Sequence, residues 1–140
     1  MTDQPLLDEI PSAVVGEPEV VEPYYGNVEE FVVQYLLPNW RHPMGTSLDV
    51  CWCPEWWRHA EAISRFEALW WAWEHMRLEG GAAMSVWWRD NADHHMQALT
   101  AYGGTFTTCK KTGRHCEAST WNCEPSPQEL WNGQTQLEPT

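Results

Sequence analysis

The chain has 140 residues, of which 20 are acidic and 8 are Lys or Arg, so its formal net charge is −12. This length corresponds to one domain with or without tails, and the shortage of bases argues against a strongly basic nucleic-acid-binding surface. Residues 1–30 and 117–140 hold twelve acids and no base, whereas residues 31–116 hold eight of each. The acidity therefore belongs to the two ends, which are most simply interpreted as solvated segments.

The N-terminal residues contain acids and prolines where a secretion signal requires a basic start and a continuous apolar run. No stretch has the roughly 18 apolar residues of a transmembrane helix. We therefore expect a cytoplasmic protein without membrane contact, in which thiols stay reduced. The five cysteines, an odd number, also fit poorly with a closed disulfide framework.

Residues 1–23 are predicted to form a disordered acidic tail, because prolines recur among the acids and large apolar groups are few. A helical domain is predicted over residues 24–123 and a flexible tail over residues 124–140. The first helix is expected to begin after Asn27, a good N-cap residue, and to stop at Pro38. A loop over residues 39–50 follows.

The longest predicted helix starts at Pro54, a residue suited to the first helical position, and ends at Gly80 and Gly81. Spacing of 100° per residue predicts a broad apolar face on this helix. Its members are Trp56, Ala60, Ile63, Phe66, Leu69, Trp70 and Trp73. So wide an apolar face is typical of a central helix that several neighbours cover.

Ser85 and Asp93 can each cap a helix, so residues 82–100 are predicted to form either one kinked helix or two short ones. Residues 105–123 are predicted to form a loop or a short strand pair, because the threonines at their start favour extended backbone. The predicted fold class is thus all-α: a long central Trp-rich helix, shorter flanking helices and a C-terminal loop.

The chain contains eleven tryptophans, including three adjacent pairs. Core packing is the default interpretation, because each indole buries much apolar area in a small domain. Adjacent helical residues point about 100° apart, so second members of the pairs are expected to face outward. We predict that Trp57, Trp71 and Trp88 form a surface for a protein partner.

One spacing occurs twice, in Cys53-x5-His59 and in Cys109-x5-His115. Thiolate and imidazole are preferred zinc ligands, and four of them complete a tetrahedral structural site. These four residues are the predicted metal ligands, with His95 and Cys116 as possible substitutes. Such a zinc ion would tie the long helix to the C-terminal loop. Unliganded thiols with a buried core histidine are the alternative.

Asp90, Asp93, His94 and His95 form an acid–imidazole cluster that faintly resembles histidine-rich nuclease sites. The favoured interpretation is a helix cap followed by exposed histidines, since no basic surface is available to hold a nucleic acid. No phosphate-binding loop and no Ser-His-Asp arrangement is present. We therefore expect no enzyme, with a metal-dependent nuclease as the weakest alternative.

Two functional hypotheses remain from the residues. The first is a small interaction module whose Trp-rich face or tails engage a protein partner. The second is an acidic inhibitor or regulator, in which the tails act as a charge decoy for a nucleic-acid-binding protein. Direct nucleic-acid binding is not expected.

Several segments together resemble an actinobacterial family known as domain of unknown function 4913, over about residues 24–116. The resemblance rests on residues 25–31, 52–59, 67–70, 73–74 and 85–90, and on Cys109 with His115. It implies a bacteriophage, plasmid or other mobile-element context in or against actinobacteria, and it implies no established activity.

This chain departs from the family pattern at His94-His95, where similar sequences carry Pro before the histidine, and at Gly104-Thr105-Phe106, where they carry Gly-Pro-Phe. Cys51, Cys116 and Cys123 are additions to the pattern.

Overall fold

The computed structural model describes residues 16–17, 19–40 and 50–134 of the chain. Four helices form in this part. Helix α1 consists of the consecutive segments Val28–Phe31, Val32–Leu36 and Leu37–Asn39, and helix α2 spans Ala60–Met76 after a 3-10 turn at Trp56–Arg58. Helix α3 joins Ala83–Val86, Trp87–Ala92 and Asp93–Thr100; helix α4 is Thr107–Thr112, and a last 3-10 turn covers Gln128–Trp131.

The all-α prediction is confirmed for the described residues, among which the only β pairing is a single antiparallel bridge between Val50 and Ala101. In the same part of the chain, no helix combines the length and the apolar character needed to cross a membrane. The predicted tail over residues 1–23 and the predicted loop over residues 39–50 lie largely outside the described residues. The predicted domain boundaries therefore stay predictions.

Helix α1 begins as the sequence predicts. Asn27 is its N-cap in an extended conformation, and its side-chain oxygen accepts a hydrogen bond from the Glu30 N–H at 2.9 Å. The reciprocal contact, from the Gly26 N–H to the Glu30 carboxylate, completes the N-terminal cap. The wider π turns of Val32–Leu36 continue directly into Leu37–Asn39, which ends one residue after Pro38.

Helix α2 is shorter than predicted, because it starts at Ala60 instead of Pro54 and ends at Met76, before the two glycines. Residues 54–58 form turns that bury Trp56 edge-on against Phe66, with ring centroids 5.0 Å apart. His59 then takes an extended conformation at φ −98° and ψ 114°. Two residues of the predicted apolar face also differ, since Ala60 is exposed and Ile63 is half-buried.

Residues 83–100 form one continuous helix, which decides between the two predicted alternatives. Asp93 has helical backbone angles of φ −60° and ψ −44° and does not cap a new helix.

Residues 107–112 form helix α4, although a loop or strand pair was expected there. The β preference of threonine is overridden there by burial of Cys109 and by a hydrogen bond from Thr112 Oγ1 to the Thr108 carbonyl at 3.0 Å.

The core forms where α2 meets α1 and α3. Trp73 lies between the two N-terminal tyrosines and α1, with its ring centroid 4.7 Å from that of Tyr35 and 5.3 Å from that of Tyr25. Trp87 of α3 is fully buried, and its indole N–H donates to the Leu69 carbonyl at 3.1 Å. Aromatic packing of this kind supplies much of the apolar burial of a small domain.

Glu74, a buried acid on α2, joins the N-terminal segment to the core. Its carboxylate accepts hydrogen bonds from the Tyr24 and Tyr25 N–H groups at 2.9 and 3.0 Å, from Trp70 Nε1 at 3.1 Å and from Arg77 Nε at 2.9 Å. Burial alone would raise the pKa of Glu74, but these donors outweigh burial and hold the pKa below its ordinary value of 4.5.

We expect Glu74→Gln to lower the free energy of unfolding at pH 7 by about 2–3 kcal/mol, because the amide N–H₂ would face backbone donors and the charge on Arg77 would lose its partner. A folded-state pKa below the unfolded value stabilises the protein above about pH 4.5, and this contribution is lost as the pH falls through the folded-state pKa. The difference between wild type and Glu74→Gln in urea unfolding should therefore shrink from pH 7 to about pH 4.

Glu67→Gln, at an exposed position on the same helix, is the matched control and should be close to neutral at both pH values. Comparing variants at one pH cancels acid effects on other groups. A difference that stays constant between the two pH values would contradict the role of the Glu74 charge.

Candidate metal centre

Two cysteines and two histidines from distant parts of the chain converge on one buried point. One ligand atom from each of Cys53, His59, Cys109 and His115 lies within 4.8 Å of the others. Cys53 Sγ is 3.6 Å from His115 Nδ1, and Cys109 Sγ is 3.4 Å from His59 Nε2. These are the four residues that the repeated spacing predicts as metal ligands.

Two of the sulfur–nitrogen distances fit a tetrahedral ion. Metal–sulfur bonds of about 2.3 Å and metal–nitrogen bonds of about 2.0 Å place sulfur and nitrogen ligands about 3.5 Å apart, and two sulfurs about 3.8 Å apart. The two sulfur–nitrogen distances of 3.6 and 3.4 Å match the first value. Since no pair exceeds 4.8 Å, a contraction of at most about 1.5 Å would complete the coordination. The four residues could therefore hold a metal ion.

Cys53 and His59 are positioned by the segment before α2. Val50 pairs with Ala101, and the Cys51 N–H donates to the Thr100 carbonyl at 2.6 Å, so this segment is fixed to the end of α3. The 3-10 turn then reverses the chain, and the His59 N–H donates to the Trp56 carbonyl at 3.0 Å. The turn brings His59 back toward Cys53, which a regular helix from Pro54 would not do.

Cys109 lies on α4, which is held against α3 through Phe106 and Gly104. The Phe106 N–H donates to the Leu99 carbonyl at 3.3 Å, and the Phe106 ring contacts the His59 ring edge-on at 5.1 Å. Gly104 approaches the end of α3 so closely that a Cβ would lie 2.4 Å from the Ala98 carbonyl oxygen. Only glycine fits that close approach of the two backbones.

His115 reaches the cluster because α4 ends at Gly113, whose φ of +70° is the left-handed conformation that favours glycine. The chain then turns back over the site. The Cys116 N–H donates to Cys109 Sγ at 3.3 Å, and the His115 and His59 rings meet edge-on at 4.6 Å. In this position the side chain of His115 is only 5% exposed.

The Cys53 thiol requires a cation to ionise in this environment. Burial, and to a smaller extent the neighbouring Cys109, raise the pKa of the Cys53 thiol to about 11, although the Glu55 backbone N–H opposes this rise. A divalent ion reverses this balance, because it stabilises the thiolates directly and two thiolates neutralise its charge. The Glu55 backbone N–H favours the same ionised state of Cys53, and the Cys116 N–H donates a hydrogen bond to Cys109 Sγ.

The His59 imidazole is suited to act as a neutral ligand. Burial lowers the pKa of His59, and the nearby His115 lowers it further. A neutral imidazole carries a free lone pair, which is the form that binds a metal.

The two predicted substitutes do not belong to the cluster among the described residues. His95 lies on α3, where its Nδ1 is 3.1 Å from Arg65 Nη1. Cys116 supplies its backbone N–H to Cys109, and its thiol is directed to the Glu117 carbonyl at 3.9 Å. Cys116 thus contributes to the centre through its main chain.

The acid–imidazole cluster of α3 does not form a ligand group in the described part of the chain. Asp90 is exposed and paired with its neighbour Arg89 at 2.8 Å. The His94 and His95 rings contact each other at 5.4 Å. The nuclease hypothesis gains no geometric support from these residues.

The three tryptophans predicted for a partner surface have different environments. Trp57 is 54% exposed, and Trp71 is 53% exposed while its ring packs on Trp70. Trp88 is half-buried, because it stacks on Trp40 at 6.5 Å and meets Trp87 edge-on. Trp57 and Trp71 therefore present indole surface to solvent, and Trp88 presents less.

One residue beside the metal centre, Glu117, was not predicted from the sequence to contribute to it. Glu117, which was counted only among the acids of the C-terminal end, has its carboxylate oxygen 3.9 Å from His115 Nε2. The available signal was the His-x-Glu spacing after the second Cys-x5-His unit, and it is short enough to occur often by chance.

Together these features define a small all-α domain with a buried two-cysteine, two-histidine cluster that joins the start of its long helix to its C-terminal loop. Over residues 25–128 the chain matches the family model described as "Domain of unknown function (DUF4913)". The match covers most of the chain, so the chain belongs to this family, as its motifs predict. No curated protein and no solved structure matches the chain.

Proposed function

We propose that this chain is a small non-enzymatic interaction module, held together by a structural zinc ion, that binds a protein partner through Trp57 and Trp71. The cytoplasm of an actinobacterial cell, with a bacteriophage or other mobile element as the source, is the proposed setting. The observation that carries the proposal is that Trp57 and Trp71 are 54% and 53% exposed and that each borders a surface concavity.

Zinc is the proposed ion because two cysteines and two histidines, whose ligand atoms lie within 4.8 Å of one another, match its ligand preference. A set of four protein ligands leaves no open position for a substrate or an activated water, and a catalytic zinc needs one. Burial of the cluster beneath Phe106 and the C-terminal loop supports a structural role.

The surface around Trp57 supports an interface. Trp57 borders a concavity of about 300 Å³ that Val28, Trp56 and Ile63 also line. On the other end of α2, Trp71 and the exposed Leu78 line a second concavity of about 310 Å³. Tryptophan is enriched among residues that dominate binding energy, and such residues cluster in apolar pockets.

The test is capture of partners from an actinobacterial lysate by the full-length chain, followed by affinity measurement with the identified protein. The double variant Trp57→Ala/Trp71→Ala should weaken binding by at least about 30-fold, if each indole contributes about 1–2 kcal/mol. Trp121→Ala is the matched control, because Trp121 is 93% exposed in the C-terminal segment and should bind like wild type.

The charge-decoy alternative gives the opposite pattern. Binding would then fall steeply as salt rises and on deletion of residues 1–23, and it would be unchanged in the double tryptophan variant. That pattern would overturn the indole-mediated interface.

A further inference from the structure

His115 has a buried polar atom for which the cluster alone offers no partner. Its Nδ1 faces Cys53 Sγ at 3.6 Å, so Nδ1 is the atom that would bind the ion. Its Nε2 lies on the opposite edge of the ring and is buried. This atom neither donates nor accepts a hydrogen bond. When Nδ1 of a neutral imidazole binds a metal, Nε2 must carry the proton.

A buried N–H without an acceptor is costly, and more so when a bound cation draws electrons from the ring. The nearest acid is Glu117, whose Oε1 is 3.9 Å from Nε2. A movement of about 1 Å would bring this pair into hydrogen-bond range. The Glu117 side chain is 72% exposed and borders an open cleft of about 730 Å³ together with His59 and Arg58, so it has room to make that movement.

From this geometry we propose that Glu117 is a positioning residue of the metal centre, whose carboxylate accepts a hydrogen bond from the Nε2–H of His115 and holds that ring in the tautomer that binds metal through Nδ1. The inference rests on the proposed zinc site. Carboxylates in this place commonly orient a ligand histidine and make it a better donor to the ion, and their loss typically weakens metal affinity by about 10- to 100-fold.

The test compares zinc dissociation constants of the full chain by competition with a chelating dye. Glu117→Ala should weaken zinc binding by about 10-fold or more, and Glu117→Gln, which keeps an acceptor oxygen, should recover most of the affinity. Glu124→Ala is the control, because Glu124 is an exposed acid of the same C-terminal segment.

Long-range ¹H–¹⁵N spectra of the zinc-loaded protein add a readout that general stability would not move. His115 should be bound through Nδ1 and protonated at Nε2, and its Nε2 proton should exchange with solvent faster in Glu117→Ala than in wild type or Glu124→Ala.

Equal zinc affinity and equal proton exchange in Glu117→Ala, Glu124→Ala and wild type would overturn the role of Glu117 and leave the zinc site standing. Coordination through Nε2 of His115 would overturn it as well. A wild-type chain that binds no zinc would overturn both this inference and the metal part of the proposed function, whereas the tryptophan interface has its own separate test.

Discussion

A chain carrying Cys109→Ser is expected to purify without bound metal and to unfold more easily than wild type, by about 4 kcal/mol. A serine hydroxyl does not ionise near neutral pH and is a poor zinc ligand, so only three of the four ligands would remain. A structural zinc site supplies about 10–16 kcal/mol of apparent binding free energy in small zinc-dependent domains, and a domain of this size has only about 5–15 kcal/mol of net stability. Urea unfolding together with metal analysis measures both effects.

Cys123→Ser provides the control for this prediction. Cys123 is exposed in the C-terminal segment and lies outside the ligand cluster, so its replacement should change neither metal content nor stability. Equal stability of the Cys109→Ser and Cys123→Ser chains would contradict a metal that holds the fold together.

Replacement of Trp87 by alanine should lower the free energy of unfolding by about 3–5 kcal/mol. This side chain is 0% exposed and meets Phe31, Tyr35 and Trp88 edge-on, so its removal leaves a cavity where α1, α2 and α3 meet. The hydrogen bond from its indole N–H to the Leu69 carbonyl is lost at the same time. Chemical denaturation monitored by circular dichroism measures the loss.

Trp121→Ala is the comparison for Trp87, since it removes the same side chain from an exposed position and should cost less than about 0.5 kcal/mol. If the two variants were equally stable, the packing of α3 against α1 and α2 described above would be wrong.

Local signals in the sequence predicted the structure correctly where a feature is formed by residues that are close together in the chain. Asn27 caps α1 through its own side chain, and the glycines after α2 follow its last turn with left-handed φ angles of 69° and 58°. The repeated Cys-x5-His spacing also identified the residues that converge, because each unit brings two ligands of the preferred type close together along the chain. That the two units meet in the fold was an assumption, because the spacing within each unit does not bring the units together.

The errors arise where contacts between distant residues override local preference. Pro54 suits a helix start, but burial of Trp56 against Phe66 and the pairing of residues 50–51 with the end of α3 produce a turn instead. The threonines at 107 and 108 favour strands, yet the buried Cys109 and the close approach of Gly104 to α3 favour a helix. Glu74 reads as one more helical acid, because its backbone partners lie 49 and 50 residues away.

A metal ion that joins the start of α2 to the C-terminal loop is the central element of the proposed structure. This claim is tested directly by metal analysis and native mass spectrometry of the full-length wild-type chain, purified without chelator. The proposal predicts about one zinc ion per chain, and a lower melting temperature after the ion is removed by a chelator. A preparation without metal, whose melting temperature does not change when zinc is added or chelator is present, would contradict it.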